Sequence, residues 1–327
     1  MTFDVHAHVI VPEITRDGGG EGWRPRVFSD DGGAQVVEMG DKQIRAAIAE
    51  FVDIDGILAA QDEAGVDRVL LCPWVPLLYY DAEPEDGLAR ARIQNEALAG
   101  LVRSHPERVD ALAALPLQDP ELAAEELRAL MGAGVLKGVE LAASVRGVFL
   151  GDDRFEPFWE AAEATGALVF IHPTTRGFDS PAFQDYYLWN TVANPLETAT
   201  TAAHMVVAGV MERHPKLRVL LAHGGGALLA VRGRMRHAHG FQPQARSRLR
   251  ESPDDSLRRF YFDTLTHDEA LLRALIDYAG AEHVLLGSDY PFDMGDQRHV
   301  ETVRALGLDS DVEARILSGN AEELLER

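Results

Sequence analysis

The feature that most constrains the fold is a regular alternation of short apolar runs and longer amphipathic segments, which begins at Asp53. The apolar runs have the length of buried strands, and the amphipathic segments carry apolar residues at helical spacing. Eight strands are predicted, one at His6 and seven at 68–72, 109–115, 138–141, 167–171, 218–222, 260–263 and 283–286. The chain is therefore expected to be an α/β protein.

Strands that alternate with helices are joined by right-handed crossovers and lie parallel. Eight such units favour a closed (β/α)₈ TIM barrel, although the pattern alone also allows an open doubly wound sheet. Helices are predicted at 53–64, 88–105, 120–131, 155–165, 196–214, 227–239 and 268–279, with extra C-terminal helices at 298–306 and 311–323. A single barrel domain covering residues 1–327 is expected.

The segment 9–52 interrupts this alternation directly after the first strand. It contains several glycines, including a run of three at 18–20, and shows no helical or strand periodicity. Such a long insertion in a compact domain is usually functional or disordered. We expect a loop or small β excursion that serves as a lid or substrate loop.

Charge and cysteine content exclude several classes of protein. The net charge of −22 argues against a nucleic-acid or anionic-membrane partner, and any anionic substrate would need local arginines. Cys72 is the single cysteine, so an intrachain disulfide is impossible and a cytoplasmic setting is expected. No signal peptide is recognisable in residues 1–30, and the apolar runs are too short for a membrane span.

Polar side chains stand where the predicted strands end. His6 and His8 end the first strand, while His172, His223 and Asp289 end the fifth, sixth and eighth. A lone histidine at such a position would be explained more simply as a buried structural residue. In a barrel, however, all these strand ends meet at one mouth, where active sites are built. Because a structural zinc site would use cysteines, the pattern predicts a catalytic metal site.

The motifs around these positions resemble the amidohydrolase superfamily. They are His-x-His at 6–8, His172, His-Gly-Gly-Gly at 223–226 and Gly-Ser-Asp-Tyr-Pro-Phe at 287–292. Within the superfamily the chain is similar to the decarboxylating branch typified by 2-amino-3-carboxymuconate-6-semialdehyde decarboxylase. The similarity runs from residue 2 to about residue 325 and includes the stretches 115–118, 194–198 and 286–295.

The resemblance implies roles for the strand-end residues. It implies that one divalent metal, usually zinc with manganese as the alternative, is held by His6, His8, His172 and Asp289. It also implies that His223 is an acid/base beside the metal and not a ligand, while Asp289 can act as a second proton acceptor. An imidazole suits this role because its proton exchanges near neutral pH.

A second metal is not expected. In the superfamily that this chain resembles, the binuclear members share a carboxylated lysine at the end of strand 4. Here Lys137 stands at the beginning of that strand, at the wrong end of the barrel, and Glu140 is the remaining candidate for a bridge.

Three further residues correspond to substrate-binding positions of the branch. Arg45 matches an arginine that binds a substrate carboxylate, and this role is favoured moderately over that of a solvated loop arginine. Arg234 matches a second carboxylate-binding arginine that reaches in from the partner subunit, which implies a homodimer. The simpler explanation for it is surface charge, since Arg232 and Arg236 flank it. Trp189 matches an aromatic pocket residue, and ordinary packing explains it about as well.

The chain also departs from the pattern of the branch at two positions. The family decarboxylases have tryptophan where this chain has Thr174, which changes one wall of the pocket. They tend to have proline where this chain has Asp293. Both departures bear on which substrate fits.

The sequence thus predicts a metal-dependent, non-oxidative decarboxylase of a carboxylated muconate-semialdehyde-type or aromatic carboxylic acid. The alternative is a metal-dependent hydrolase or hydratase on the same scaffold, acting on a lactone, an amide or an unsaturated diacid. A catalytically silent metal-binding scaffold is a third hypothesis. The intact ligand set and the intact His223 count against it.

Overall fold

The computed structural model describes residues 1–15, 26–29, 35–39, 42–45 and 48–326. The strands are β1 (Phe3–Val9), β2 (Arg26–Ser29), β3 (Gln35–Met39), β4 (Lys42–Arg45), β5 (Arg68–Pro73), β6 (Val109–Ala111), β7 (Gly138–Ala142), β8 (Ser144–Val145), β9 (Val148–Phe149), β10 (Leu168–His172), β11 (Arg218–Leu221), β12 (Tyr261–Asp263) and β13 (Val284–Leu285). Eight of them, β1, β5, β6, β7 and β10 to β13, are the parallel strands that the sequence predicts.

The α-helices are α1 (Pro12–Thr15), α2 (Ile48–Val52), α3 (Ile54–Glu63), α4 (Pro84–Ser104), α5 (Pro120–Ala133), α6 (Glu156–Thr165), α7 (Asn194–Val207), α8 (Val210–Arg213), α9 (Leu228–Phe241), α10 (Pro253–Leu257), α11 (Glu269–Ala279), α12 (His299–Ala305), α13 (Ser310–Ala314) and α14 (Asn320–Leu325). Two π-helical turns adjoin them, at Trp189–Ala193 and Arg315–Gly319. Short 3₁₀ turns lie at Val75–Leu78, Asp153–Phe155, Gly177–Asp179, Pro181–Phe183, His223–Gly225, Gln244–Arg246 and Ala281–His283.

Backbone hydrogen bonds close the parallel strands into a barrel. One ladder runs β1–β5–β6 and the other runs β7–β10–β11–β12–β13. The first gap is bridged where Ala113 N donates to Gly138 O over 2.8 Å. The second is bridged where Val5 N donates to Leu286 O over 2.9 Å. The (β/α)₈ prediction is therefore confirmed, and the open sheet is wrong.

The interior of the barrel is filled by apolar side chains from alternate strand positions. Phe3, Leu70, Phe170 and Leu220 belong to this inner cluster, while their strand neighbours pack outward against the helices. Ala321, Leu324 and Leu325 of α14 join the same cluster and cover one end of it. The extra C-terminal helices are thus confirmed as part of the barrel's packing.

A β-bulge in β1 directs the two histidines into the barrel. The register of β1 against β5 shifts between Asp4 and Ala7. Val5 packs in the inner cluster, yet His6 also points inward, since its ring lies 4.7 Å from the ring of the interior residue Phe170. An extra residue in one strand re-aims the side chains that follow it. Strict alternation from Val5 would have placed His6 outside.

The expected excursion after β1 contains a small antiparallel sheet. Its strands pair in the order β2–β3–β4. The small β excursion is therefore confirmed at the level of the backbone. No helix of the described residues is long and apolar enough to cross a membrane.

Two predicted helices are interrupted in the structure. The segment 196–214 forms α7 and α8, separated at Gly209, whose φ of 75° is left-handed. A β-carbon at Gly209 would lie 2.7 Å from Arg248 O, so the close approach of another backbone also requires glycine there. The segment 311–323 is likewise divided by a π-helical turn. Helical periodicity alone does not reveal such breaks.

The buried carboxylate of Asp4 ties the seam between β1 and β13 to α3. One oxygen accepts from the backbone nitrogens of His6, over 3.0 Å, and Ser288, over 3.1 Å. The other accepts from the side-chain amide of Gln61, over 2.9 Å, and from the Ser288 hydroxyl. Asp4 is completely buried. Four donors therefore depend on a single side chain.

Replacing Asp4 with alanine is expected to lower the free energy of unfolding by about 3 kcal/mol, because several buried donors lose their acceptor together. Denaturant unfolding of metal-free protein measures this. Asp62→Ala is the control, since exposed Asp62 pairs with Arg108 at the surface, and its cost should stay below about 1 kcal/mol. Equal small effects of both substitutions would show that the Asp4 network does not support the seam.

Candidate metal centre

Three imidazoles converge on one carboxylate oxygen at the mouth of the barrel. The Nε2 atoms of His6, His8 and His172 lie 3.0, 3.1 and 3.7 Å from Asp289 Oδ1. His6 Nε2 and His8 Nε2 are 3.1 Å apart. All four side chains are almost completely buried. The ends of β1 and β10 and the turn after β13 thus place three nitrogens and one oxygen around a common point.

This donor set fits a divalent metal. Ligands at zinc-like bond lengths in a tetrahedral site stand about 3.3 Å from one another, which is close to the spacing found here. His172 Nε2 and Asp289 Oδ1 have no hydrogen-bond partner among the described residues, although both are buried. Buried polar atoms normally have partners, so a cation would supply what these two lack.

The outer ring nitrogens are held by acceptors. His6 Nδ1 lies 2.7 Å from Asp263 Oδ2, and His172 Nδ1 lies 3.0 Å from Pro173 O. His8 Nδ1 is 3.4 Å from Pro73 O. An acceptor on Nδ1 fixes the tautomer and turns the Nε2 lone pair towards a metal. Each histidine is therefore oriented as a ligand.

His223 approaches the same carboxylate from the other side. Its Nε2 lies 3.2 Å from Asp289 Oδ2, whereas the other three histidines contact Oδ1. His223 and Asp289 have left-handed φ values of 58° and 59°. Such strain in residues other than glycine is typical of functional sites. His223 thus contacts the other oxygen of Asp289, although its ligand atom and those of His6, His172 and Asp289 all lie within 4.8 Å of one another.

The glycines after His223 allow close backbone approach. Gly226 has a φ of 59°, and a β-carbon there would lie 2.2 Å from Pro195 O. Asp263 secures the start of the turn by accepting from the backbone nitrogens of His223, over 2.9 Å, and Gly224, over 2.7 Å. Asp263 therefore orients both His6 and the backbone that carries His223.

Electrostatics keep the cluster ready for a cation. Burial opposes ionisation of Asp289, but the surrounding histidines outweigh it, so the pKa of Asp289 lies well below its ordinary value. Burial lowers the pKa of His172 to about 3, which leaves its ring neutral. Burial would also lower the pKa of His6, yet Asp289 and Asp263 raise it to about 10. A metal would take the place of the His6 proton.

A cavity of about 1830 Å³ lies above the cluster. Its wall includes His172, His223, Asp289 and the aromatic side chains of Trp74 and Phe292. The cavity thus gives a bound molecule direct access to the metal-facing groups. Its wall combines apolar and aromatic side chains with many polar and charged ones. A concave site that contains both kinds of side chain can bury a small molecule and fix its orientation.

The structure places the three predicted substrate-binding residues differently. Trp189 lines the cavity and its ring lies 4.9 Å from that of Tyr187. Arg234 is exposed on α9 and does not line the cavity of its own chain. Arg45 ends β4, but its side chain lies outside the described part of the structure.

The two departures from the family pattern both lie in the cavity wall. The backbone nitrogen of Thr174 donates to Glu197 over 2.6 Å, and its hydroxyl donates to the same carboxylate over 2.7 Å. Asp293 accepts from the Tyr187 hydroxyl over 2.9 Å. Glu197 was not singled out from the sequence. It holds the loop after β10 with a buried carboxylate.

Asp263 is the site residue that sequence reasoning missed. It ends β12, so the strand-end rule that selected the other positions should have selected it as well. Glu140 also points inward, 3.8 Å from the outer nitrogen of His8 and without a hydrogen-bond partner among the described residues. Lys137 precedes β7 and pairs with Asp110 instead, over 3.9 Å.

Comparison with known proteins identifies the family. A model of the family described as "Amidohydrolase" matches residues 3–327. The 2-amino-3-carboxymuconate-6-semialdehyde decarboxylase of Dictyostelium discoideum is 30% identical, over 99% of this chain and 91% of the relative. The crystal structure of 5-carboxyvanillate decarboxylase LigW from Sphingomonas paucimobilis superposes with a TM-score of 0.82 at 26% identity, covering 99% and 98% of the two chains.

A further structure, dihydroxybenzoic acid decarboxylase from Polaromonas with bound manganese, gives a TM-score of 0.81 at 23% identity and covers 99% of this chain and 96% of that one. The chain belongs to the amidohydrolase family. Within it, the chain is a metal-dependent carboxy-lyase, as the sequence predicts. The hydrolase or hydratase alternative receives no support from these relatives.

Replacing Asp263 with asparagine is expected to weaken metal binding about 10- to 100-fold, because the amide has one accepting oxygen and cannot serve both His6 and the His223 nitrogen at Oδ2 and the Gly224 nitrogen at Oδ1. Competition with a chelator measures the metal affinity. Asp277→Asn, in the outer helix α11, is the matched control and should leave the affinity unchanged. An Asp263→Asn variant with wild-type affinity would show that the outer nitrogen of His6 needs no carboxylate.

Proposed function

We propose that this enzyme removes CO₂ from a small carboxylic acid of the carboxylated muconate-semialdehyde or aromatic type. The observation that carries the proposal is the division of contacts at Asp289. Three histidines face one of its oxygens and His223 faces the other, at the base of a cavity large enough for such an acid. One group of residues can thus hold a cation while His223 remains free to move a proton.

The proposed metal ligands are His6, His8, His172 and Asp289, with one metal per chain and zinc preferred over manganese. Nitrogen-rich tetrahedral sets of this kind are typical of zinc. A cation held there would supply positive charge that stabilises negative charge developing on a bound acid. The position of Glu140 supports a single metal, because it contacts the outer nitrogen of His8 and not the nitrogen that faces Asp289.

His223 is the proposed proton carrier. When the bond to the departing carboxylate breaks, CO₂ leaves and the electron pair stays on the ring or chain carbon. His223 can deliver a proton to that carbon, since its side chain lines the cavity together with Asp289. Asp289 Oδ2, 3.2 Å away, can accept or return this proton. General acid catalysis of this kind requires a group within hydrogen-bond reach of the reacting atom.

The substrate would be held by residues around the cavity. We assign Trp189 to its wall, Arg45 to a carboxylate, and Arg234 to a carboxylate in the partner's site of a homodimer. Arg234 has the exposure that such a role needs. The segment 9–52 would cover the mouth as a lid on the single domain 1–327, and the enzyme would work in the cytoplasm.

A panel of muconate-type and aromatic acids, offered to metal-loaded protein with CO₂ detection, tests the activity. At least one acid should release CO₂. His223→Ala should keep one equivalent of metal and lose about 10²- to 10⁴-fold in kcat, because it lacks the proton carrier. The matched control is His237→Ala, a substitution on the exposed part of α9, and this control should retain turnover.

Three results would count against this assignment. Hydrolysis of lactones without CO₂ release would favour the alternative chemistry, and a metal-loaded protein inert to the whole panel would favour a silent scaffold. Full activity of His223→Ala would remove His223 from the mechanism.

Mixing two inactive variants tests the contribution of Arg234 in trans. Arg234→Ala and His223→Ala subunits, exchanged in equal amounts, should recover about a quarter of wild-type activity, because half of the dimers then contain one intact site. Activity and subunit exchange are measured together. If the mixture stays inactive although mixed dimers form, Arg234 acts only within its own chain, and if Arg234→Ala alone is fully active, Arg234 has no role in the reaction.

A further inference from the structure

Arg146 is a cavity residue to which the sequence assigns no role. It lies at the turn of the β8–β9 hairpin and lines the same cavity as His172, His223 and Asp289. Its φ of 50° is left-handed, and the following Gly147 has a φ of 78°. This turn carries the side chain at an exposed position on the cavity rim.

The guanidinium group of Arg146 is held by backbone carbonyls. Its Nε donates to Tyr80 O and its Nη2 donates to Ala82 O, both over 2.8 Å. These bonds occupy two of the five N–H donors of the fork. Within the part of the chain that the structure describes, Arg146 makes no ion pair. The group is therefore fixed in place, while its charge is not neutralised and its remaining donors are free for a ligand.

The other arginines of the described cavity wall are differently engaged. Arg176 pairs with Asp179 over 2.9 Å and with Asp81 over 3.1 Å, so its charge is compensated. Arg90 stacks over the ring of Tyr79, with 4.6 Å between the guanidinium carbon and the ring centroid. In a chain of net charge −22, an arginine on the cavity rim whose charge is not compensated attracts an anion to that place.

We propose that Arg146 binds a second acidic group of the substrate, so that the enzyme is selective for dicarboxylates over monocarboxylates. This inference rests on the proposed function, since it places the first carboxylate at the metal-facing end of the cavity. The remaining N–H donors match the two oxygens of a carboxylate, and a fork that is already held in place loses little freedom on binding. Arg146 is thus a specificity-determining residue.

Binding of two unreactive probes to metal-loaded protein tests the inference. Isophthalate carries two carboxylates and benzoate carries one. In Arg146→Gln the affinity for isophthalate should fall about 10- to 100-fold, the usual effect of losing a charge-assisted hydrogen bond. The affinity for benzoate should change by less than about twofold. Arg146→Lys should fall between wild type and Arg146→Gln, because it keeps the charge without the fork.

Arg176→Gln is the matched control. It removes a second arginine from the same wall whose charge is already paired, and the ratio of the two affinities should stay at the wild-type value. Thermal unfolding of each variant checks that the loop at Tyr80 and Ala82 is intact. An equal loss of affinity for both probes in Arg146→Gln would overturn the inference, since it would mean that Arg146 only supports that loop.

The outcome can be separated from that of the proposed function. If the acid panel yields no CO₂ but Arg146→Gln still lowers the affinity for isophthalate and not that for benzoate, the decarboxylase assignment fails and the dicarboxylate site stands. If CO₂ is released but the two probes are affected equally, the activity stands and Arg146 has no part in selectivity.

Discussion

The seam between β1 and the end of β13 is the constraint on which the site depends. Asp289 N donates to His6 O over 2.7 Å, and His8 N donates to Tyr290 O over the same distance. These bonds join residues that are almost the whole chain apart in sequence. Because the seam closes the barrel and aligns the two ends of the chain, it also brings His6 and His8 to Asp289.

The polar groups at this seam are arranged in two layers. Asp4, on the outward side of β1, satisfies donors from both edges of the seam and from α3. Asp263, on the inward side, orients His6 and the turn after β11. Burying a carboxylate costs free energy unless it accepts several hydrogen bonds, and both Asp4 and Asp263 accept from several donors. The negative charge that they add also favours a cation among the histidines.

The strong acidity of the chain and its anionic substrate are compatible because charge is local. Most of the acidic side chains are spread over the surface, where solvent screens them. At the cavity, a bound cation would offset the negative charge of Asp289, and Arg146 would offset negative charge at the rim. Arg146 differs from Arg176 in this respect. Neutral backbone carbonyls hold Arg146, whereas two carboxylates already compensate the charge of Arg176.

The sequence by itself determined the eight-stranded alternation, the strand ends that carry His6, His8, His172, His223 and Asp289, and the family that these motifs indicate. These features are local, since hydrophobic period and strand-end position follow from neighbouring residues. The strand-end pattern marks the position of Asp263 but not its contact with His6. The bulge that turns His6 inward, the break at Gly209 and the role of Glu197 did not follow from any pattern. Only the tertiary structure decided them, because each depends on a backbone or side chain that is distant in sequence and close in space.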